Sequence, residues 1–101
     1  MARLPKNRAP THPGEMILEF LEALGKTQSK FADAIGVSRV RLNELIRGKR
    51  AMTPDTALRL EQTLGKPAYW WLSLQQDFDL WQAMHAPGMR EIRRLRRLQS
   101  A

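Results

Sequence analysis

The sequence predicts an all-α protein: a compact five-helix domain, preceded by a basic arm and followed by a basic tail or short helix. Three observations carry this. Apolar residues recur at spacings of three and four, the period of a helix with one buried side. Glycines stand at 25, 36, 48 and 65, just past the end of each periodic run, while Thr27, Ser38 and Thr53 stand just before the start of one. No stretch alternates in the strand manner, and there are no internal repeats.

The elements follow in order. Residues 1–12 hold Pro5, Asn7, Pro10 and three bases, and read as a flexible basic arm. Met16, Ile17, Phe20, Leu21 and Leu24 form the stripe of a first helix that Gly25 stops. Thr27 caps a second helix, with Phe31, Ala32 and Ile35 inward, and Gly36 ends it. Ser38 caps a third, running to about Arg47, before Gly48. Thr53-Pro54 is a strong start signal, a capping hydroxyl followed by proline at the first helical position; this fourth helix carries Ala57, Leu58, Leu60 and Leu64 up to Gly65. A fifth begins at Pro67 and reaches about Met84, where Ala86-Pro87-Gly88 breaks the chain. The domain therefore spans 13–86, with a basic tail over 87–101. Met89 to Leu98 has the spacing of a short helix with Ile92, Leu95 and Leu98 on one side.

Composition narrows the function. The chain has 101 residues, a net charge of +7 and no cysteine, so disulfides, thiolate metal sites and cysteine nucleophiles are excluded. No apolar segment has the length of a signal sequence or a membrane span, so the expected location is the cytoplasm. His12 and His85 stand far apart in the sequence, without cysteine companions, and no nucleophile–base set or glycine-rich phosphate loop occurs. The expectation is a protein without catalytic residues, metal or cofactor. The charge is distributed in blocks: +3 over residues 1–12, −3 over 13–25, +5 over 26–50, −2 over 51–86 and +4 over 87–101. The 26–50 block is the natural polyanion surface.

That block also has the pattern of a helix-turn-helix over about 27–47. Ala32 lets a second helix approach closely, Gly36 supplies a left-handed turn, Val37 plugs the angle, and Leu42, Leu45 and Ile46 face inward. On the other side of the third helix stand Arg39, Val40, Asn43 and Glu44. These are groups that read base edges in the major groove: arginine to guanine, valine to a thymine methyl, asparagine to adenine, glutamate to a cytosine amino group. Gln28 and Ser38, at helix starts, together with Arg41, Arg47, Lys49 and Arg50, suit the phosphates. The plain alternative is an amphipathic hairpin with a solvated basic face.

The chain resembles a known family at several points. The runs Thr11-His12-Pro13-Gly14-Glu15, Gly36-Val37-Ser38-Arg39, Thr53-Pro54-Asp55-Thr56-Ala57-Leu58-Arg59-Leu60, Trp71-Leu72-Ser73-Leu74-Gln75 and Phe78-Asp79-Leu80 are similar to those of the HigA (VapI) antitoxins. These belong to the XRE group that includes the phage repressors. The resemblance covers about residues 11–83. It implies a lambda-repressor-like fold and a homodimer on palindromic operator DNA that represses its own operon. It also implies a partner, a HigB-like toxin that cleaves messenger RNA on the ribosome. By the resemblance the base-contacting sites fall on Arg39, Val40 and Glu44, and the amide at the second-helix start on Gln28. Arg39-Val40 replaces the glutamines common at those reading positions, so no operator sequence carries over. The other functional class is a stand-alone XRE-type transcriptional regulator without a toxin.

Three further features have more than one reading. Glu15, Glu19 and Glu22 share one side of the first helix, as a solvated face or as an acidic dock for a basic toxin. The aromatic residues of the fifth helix complete the core, with Tyr69 and Trp70 on another side as a dimer face. The tail is a solvated frayed helix, or it extends the DNA footprint or adds a dimer contact.

Overall fold

The computed structural model describes Leu4 and residues 8–99. Six helices follow in order: α1 Pro13–Leu24, α2 Gln28–Ile35, α3 Arg39–Ile46, α4 Pro54–Leu64, α5 Ala68–Met84 and α6 Met89–Arg93. No strand occurs among the described residues. Most of the basic arm, residues 1–3 and 5–7, lies outside them. His12, at the arm's end, belongs to the packed domain: it is buried and caps α1.

Local chemistry sets most boundaries. Thr27 accepts from the Lys30 amide at 3.2 Å, Ser38 from Arg41 at 3.0 Å and Thr53 from Thr56 at 3.3 Å, each closing a first turn. Gly25, Gly36 and Gly65 take left-handed conformations at the ends of α1, α2 and α4. The start of α5 is different. Pro67 offers no side-chain cap, and the Glu61 carboxylate reaches from α4 to accept from the Ala68 amide at 2.6 Å.

The core gathers Ile17 and Leu21 of α1, Phe31, Ala32 and Ile35 of α2, Leu42 and Leu45 of α3, Met52, and Ala57 and Leu60 of α4 around a fully buried Trp71 of α5. Trp71 meets Phe20 at 5.8 Å and Trp70 edge-on at 4.9 Å between ring centroids. Gln75, also buried, accepts from the Met52 amide at 2.8 Å and donates to Asp79 at 2.9 Å. That bond fixes the loop between α3 and α4 to α5.

Three expected apolar contacts are absent. Leu24 is exposed because α1 ends there, and Leu58 points away from the core on α4. The tail helix stops at Arg93, so Leu95 and Leu98 lie beyond it; with Ile92 they remain in solvent. A short helix with no surface to bury against has little to sustain it.

Candidate nucleic-acid interface

The turn between α2 and α3 is built from both sides. The amides of Gly36 and Val37 bond the Ala32 carbonyl at 3.0 and 3.1 Å, and Gly36 has φ +76°. Val37 packs half-buried against the core. From α4, the Arg59 guanidinium donates to the Ile35 carbonyl at 2.8 Å and to Asp55 at 3.0 Å. A Cβ on Gly36 would lie 2.9 Å from that guanidinium, so the glycine provides both the left-handed backbone and the room for Arg59.

The predicted base readers share the outer side of α3. Arg39, Val40 and Asn43 are exposed and Glu44 is half-exposed. The three polar ones are held by neighbours. Arg39 pairs with Asp33 of α2 at 3.0 Å, Asn43 donates to Gln28 of α2 at 3.1 Å, and Glu44 accepts from Arg50 at 3.1 Å. Val40 stands alone among them as an apolar group, 70% exposed, which suits a thymine methyl. The side chains are thus arrayed in defined positions, yet each polar bond is at the surface and easily exchanged.

The expected phosphate contacts divide. Arg47, Lys49 and Arg50 are exposed at and beyond the end of α3, where Gly48, at φ +74°, turns the chain. Gln28 sits at the first position of α2, committed to Asn43. Ser38 accepts from the Arg41 amide of its own helix, which leaves its hydroxyl hydrogen and its backbone amide for an anion. Arg41 faces inward: it donates to Thr56 at 3.0 Å and lies 3.9 Å from Asp55, so it ties α3 to α4 and is poorly placed for a phosphate.

The outlying candidates are not brought to this face. Glu15, Glu19 and Glu22 are all exposed, and Glu15 also accepts from the His12 amide at 3.2 Å as part of the α1 cap. Tyr69 is 75% exposed. Trp70 is half-buried, stacked edge-on against Trp71 with the Lys66 ammonium 5.2 Å from its ring, so part of it already serves the monomer. Among the described residues no helix is long and apolar enough to cross a membrane, and no group of three potential metal ligands occurs.

Sequence reasoning missed Asp33 and Arg59. Asp33 lies six residues from Arg39 and Arg59 twenty-four from Ile35, across turns whose crossing angle no helical period encodes.

Comparison with known proteins agrees with this geometry. A helix-turn-helix family model matches residues 17–71. Virulence-associated protein I of Dichelobacter nodosus is 43% identical over 77 residues, 74% of this chain and 71% of that one. Antitoxin HigA-1 of Vibrio cholerae is 40% identical over 75 residues, 73% of this chain and 70% of that one. The solved structure of antitoxin GraA in complex with its operator superposes with a TM-score of 0.82 at 33% identity, covering 97% of this chain and 100% of that one.

Proposed function

The chain belongs to the helix-turn-helix family of HigA-type antitoxins, and from that premise we propose that it is a sequence-specific, operator-binding repressor that also neutralises a HigB-like toxin. The observation that carries the DNA part is the outer side of α3. It presents a basic fork, a branched apolar group, an amide and a carboxylate, three of them aligned by α2 and the following loop. A similar chain, antitoxin GraA, is solved in complex with its operator, which supports the DNA-binding reading. Arg39, Val40, Asn43 and Glu44 read base edges, and Gln28, Ser38, Arg47, Lys49 and Arg50 engage phosphates, Ser38 through its hydroxyl hydrogen and backbone amide.

The protein acts in the cytoplasm as a homodimer on a palindromic site, its two recognition helices in successive major grooves ~34 Å apart. Tyr69 and the open part of Trp70 supply dimer contacts. Toxin docking falls to the exposed acids Glu15, Glu19 and Glu22. The domain spans 13–86, extended to His12, with basic segments on either side.

Titration of a duplex from the chain's own promoter tests the DNA part. Arg39→Ala is expected to weaken binding by ~1–3 kcal/mol and relax one base position; equal losses on every sequence would move Arg39 to a phosphate. Co-expression with the neighbouring short basic reading frame tests the toxin part. Co-purification, lost on charge reversal at Glu19 and Glu22, supports the antitoxin; promoter binding with no such partner leaves a stand-alone regulator.

A further inference from the structure

The His-Pro-Gly-Glu segment at 12–15 does more than begin a helix. The His12 Nδ1 accepts from the Gly14 amide at 2.9 Å, and the Glu15 carboxylate returns a bond to the His12 amide at 3.2 Å, closing the first turn of α1. Gly14 then lies against the last turn of α3. A Cβ there would overlap the Leu45 carbonyl oxygen and come within 2.8 Å of the Ile46 Cα, both backbone atoms that cannot rotate away. The imidazole, only 6% exposed, lies beside Gly48 and stands edge-on to Phe78 of α5 at 4.9 Å and 87°. One short motif thus meets the end of the recognition helix, the loop after it and α5.

We propose that this segment, with His12 at its centre, is the positioning device for the phosphate-contacting end of the recognition helix. The role rests on the DNA-binding reading above. The contacts fall where α3 ends and the chain turns towards Arg47, Lys49 and Arg50. Backbone-to-backbone packing at Gly14 fixes the depth of that end, and the His12 ring fixes its direction. His12 is therefore a positioning residue, acting through groups that meet the DNA.

The cap bond requires an unprotonated Nδ1. Burial lowers the His12 pKa below its ordinary 6.5, against the opposing pull of Glu15 on its own helix and Asp79 on α5. The cations at the α3 end, Arg47, Lys49 and Arg50, stand in solvent. Protonation breaks the cap, whereas asparagine at this position accepts the same bond at any pH.

The test titrates full-length chains against the promoter duplex and a shuffled duplex of the same composition, at a temperature where circular dichroism shows every variant folded. The variants are His12→Ala, His12→Asn, Arg39→Ala and Leu64→Ala, the last a destabilised control at the end of α4. His12→Ala is expected to weaken both duplexes by the same factor, about tenfold, the mark of lost phosphate register. His12→Asn should stay within about twofold of wild type near pH 8, and then lose less affinity than wild type as the pH is lowered through the window below 6.5 in which the wild-type urea midpoint falls. The positioning role is overturned if His12→Ala binds like wild type or like Leu64→Ala, or if wild type and His12→Asn run parallel with pH. Wild-type chains that ignore the promoter overturn the DNA reading and this role together. Loss of promoter preference in Arg39→Ala with no effect of His12→Ala overturns this role alone.

Discussion

Asp33→Asn separates the orientation of a base-reading residue from the stability of the fold. Asp33 and Arg39 are 3.0 Å apart with side chains 63% and 65% exposed. In bulk water two unit charges at that distance attract by about 1.4 kcal/mol, and screening and side-chain ordering leave roughly 0–1 kcal/mol. A bidentate arginine–guanine contact is worth ~1–3 kcal/mol of discrimination, so on the proposed base-reading role DNA would take Arg39 from a weak partner that has already placed it. Asparagine keeps the size and removes the charge. Thermal melting should move by no more than the roughly 4–8 °C that 1 kcal/mol gives in a domain of this size. Binding to shuffled DNA should strengthen about twofold, because an anion has left the DNA-facing side. Promoter binding should gain less or fall, so that the ratio between the two drops. In an Arg39→Ala background Asp33→Asn should shift both duplexes equally, giving a coupling of about 0.5–1 kcal/mol in a double-mutant cycle. An unchanged ratio with zero coupling would refute the orientation argument, and a melting shift beyond about 8 °C would make Asp33 a structural residue.

Three other outcomes follow from the same geometry. Arg59→Met removes the donor to the Ile35 carbonyl and should lower stability by about 1–2 kcal/mol in urea melts; Arg59→Lys should recover little of it, since an ammonium lacks the fork that joins Ile35 and Asp55. Deleting residues 88–101 should leave the melting temperature within about 2 °C, because α6 buries no residue; a larger loss would place the tail in the fold. Stability should depend on pH through His12, whose folded pKa lies below 6.5. The unfolded chain then binds the proton first, so stability is full above about 6.5, declines through the window beneath, and levels once the folded pKa is passed. His12→Asn should remove that component from urea midpoints measured across the range.

The parts of this fold legible in the sequence are those fixed within a turn or two of chain. Thr27, Ser38 and Thr53 cap helices by bonds to residues three positions on, and Gly36 ends one by its own backbone freedom. The outward and inward sides of α3 followed from a single period. What escaped was mostly non-local. The cap of α5 comes from Glu61 on another helix; that of α1 is local, but comes from a histidine, a residue type seldom counted as a cap. Arg41 falls on the flank of the wheel, where periodicity does not decide between a phosphate and Thr56; the approach of α4 decides it. The tail shows the converse. Ile92, Leu95 and Leu98 have helical spacing, but spacing supplies no partner surface.

The separation between scaffold and reading face has a consequence for specificity. The residues that fix the recognition helix lie beneath it or behind it: Leu42 and Leu45 in the core, Arg41 bonded to α4, Gly14 against its last turn, Arg59 on the preceding carbonyl. None of these is a proposed base reader. Arg39, Val40 and Asn43 lie in solvent, and their bonds to Asp33 and Gln28 are surface contacts of small worth. On the proposed reading, replacing a reader is expected to alter the operator with little effect on the fold, and replacing a scaffold residue to alter affinity for all DNA together. Asp33 and Gln28 stand between the two groups: their bonds are of small worth to stability, yet they set where Arg39 and Asn43 point in the absence of DNA. A change of operator sequence in this fold is accordingly expected to involve pairs, a reader on α3 with its holder on α2, rather than the reader alone.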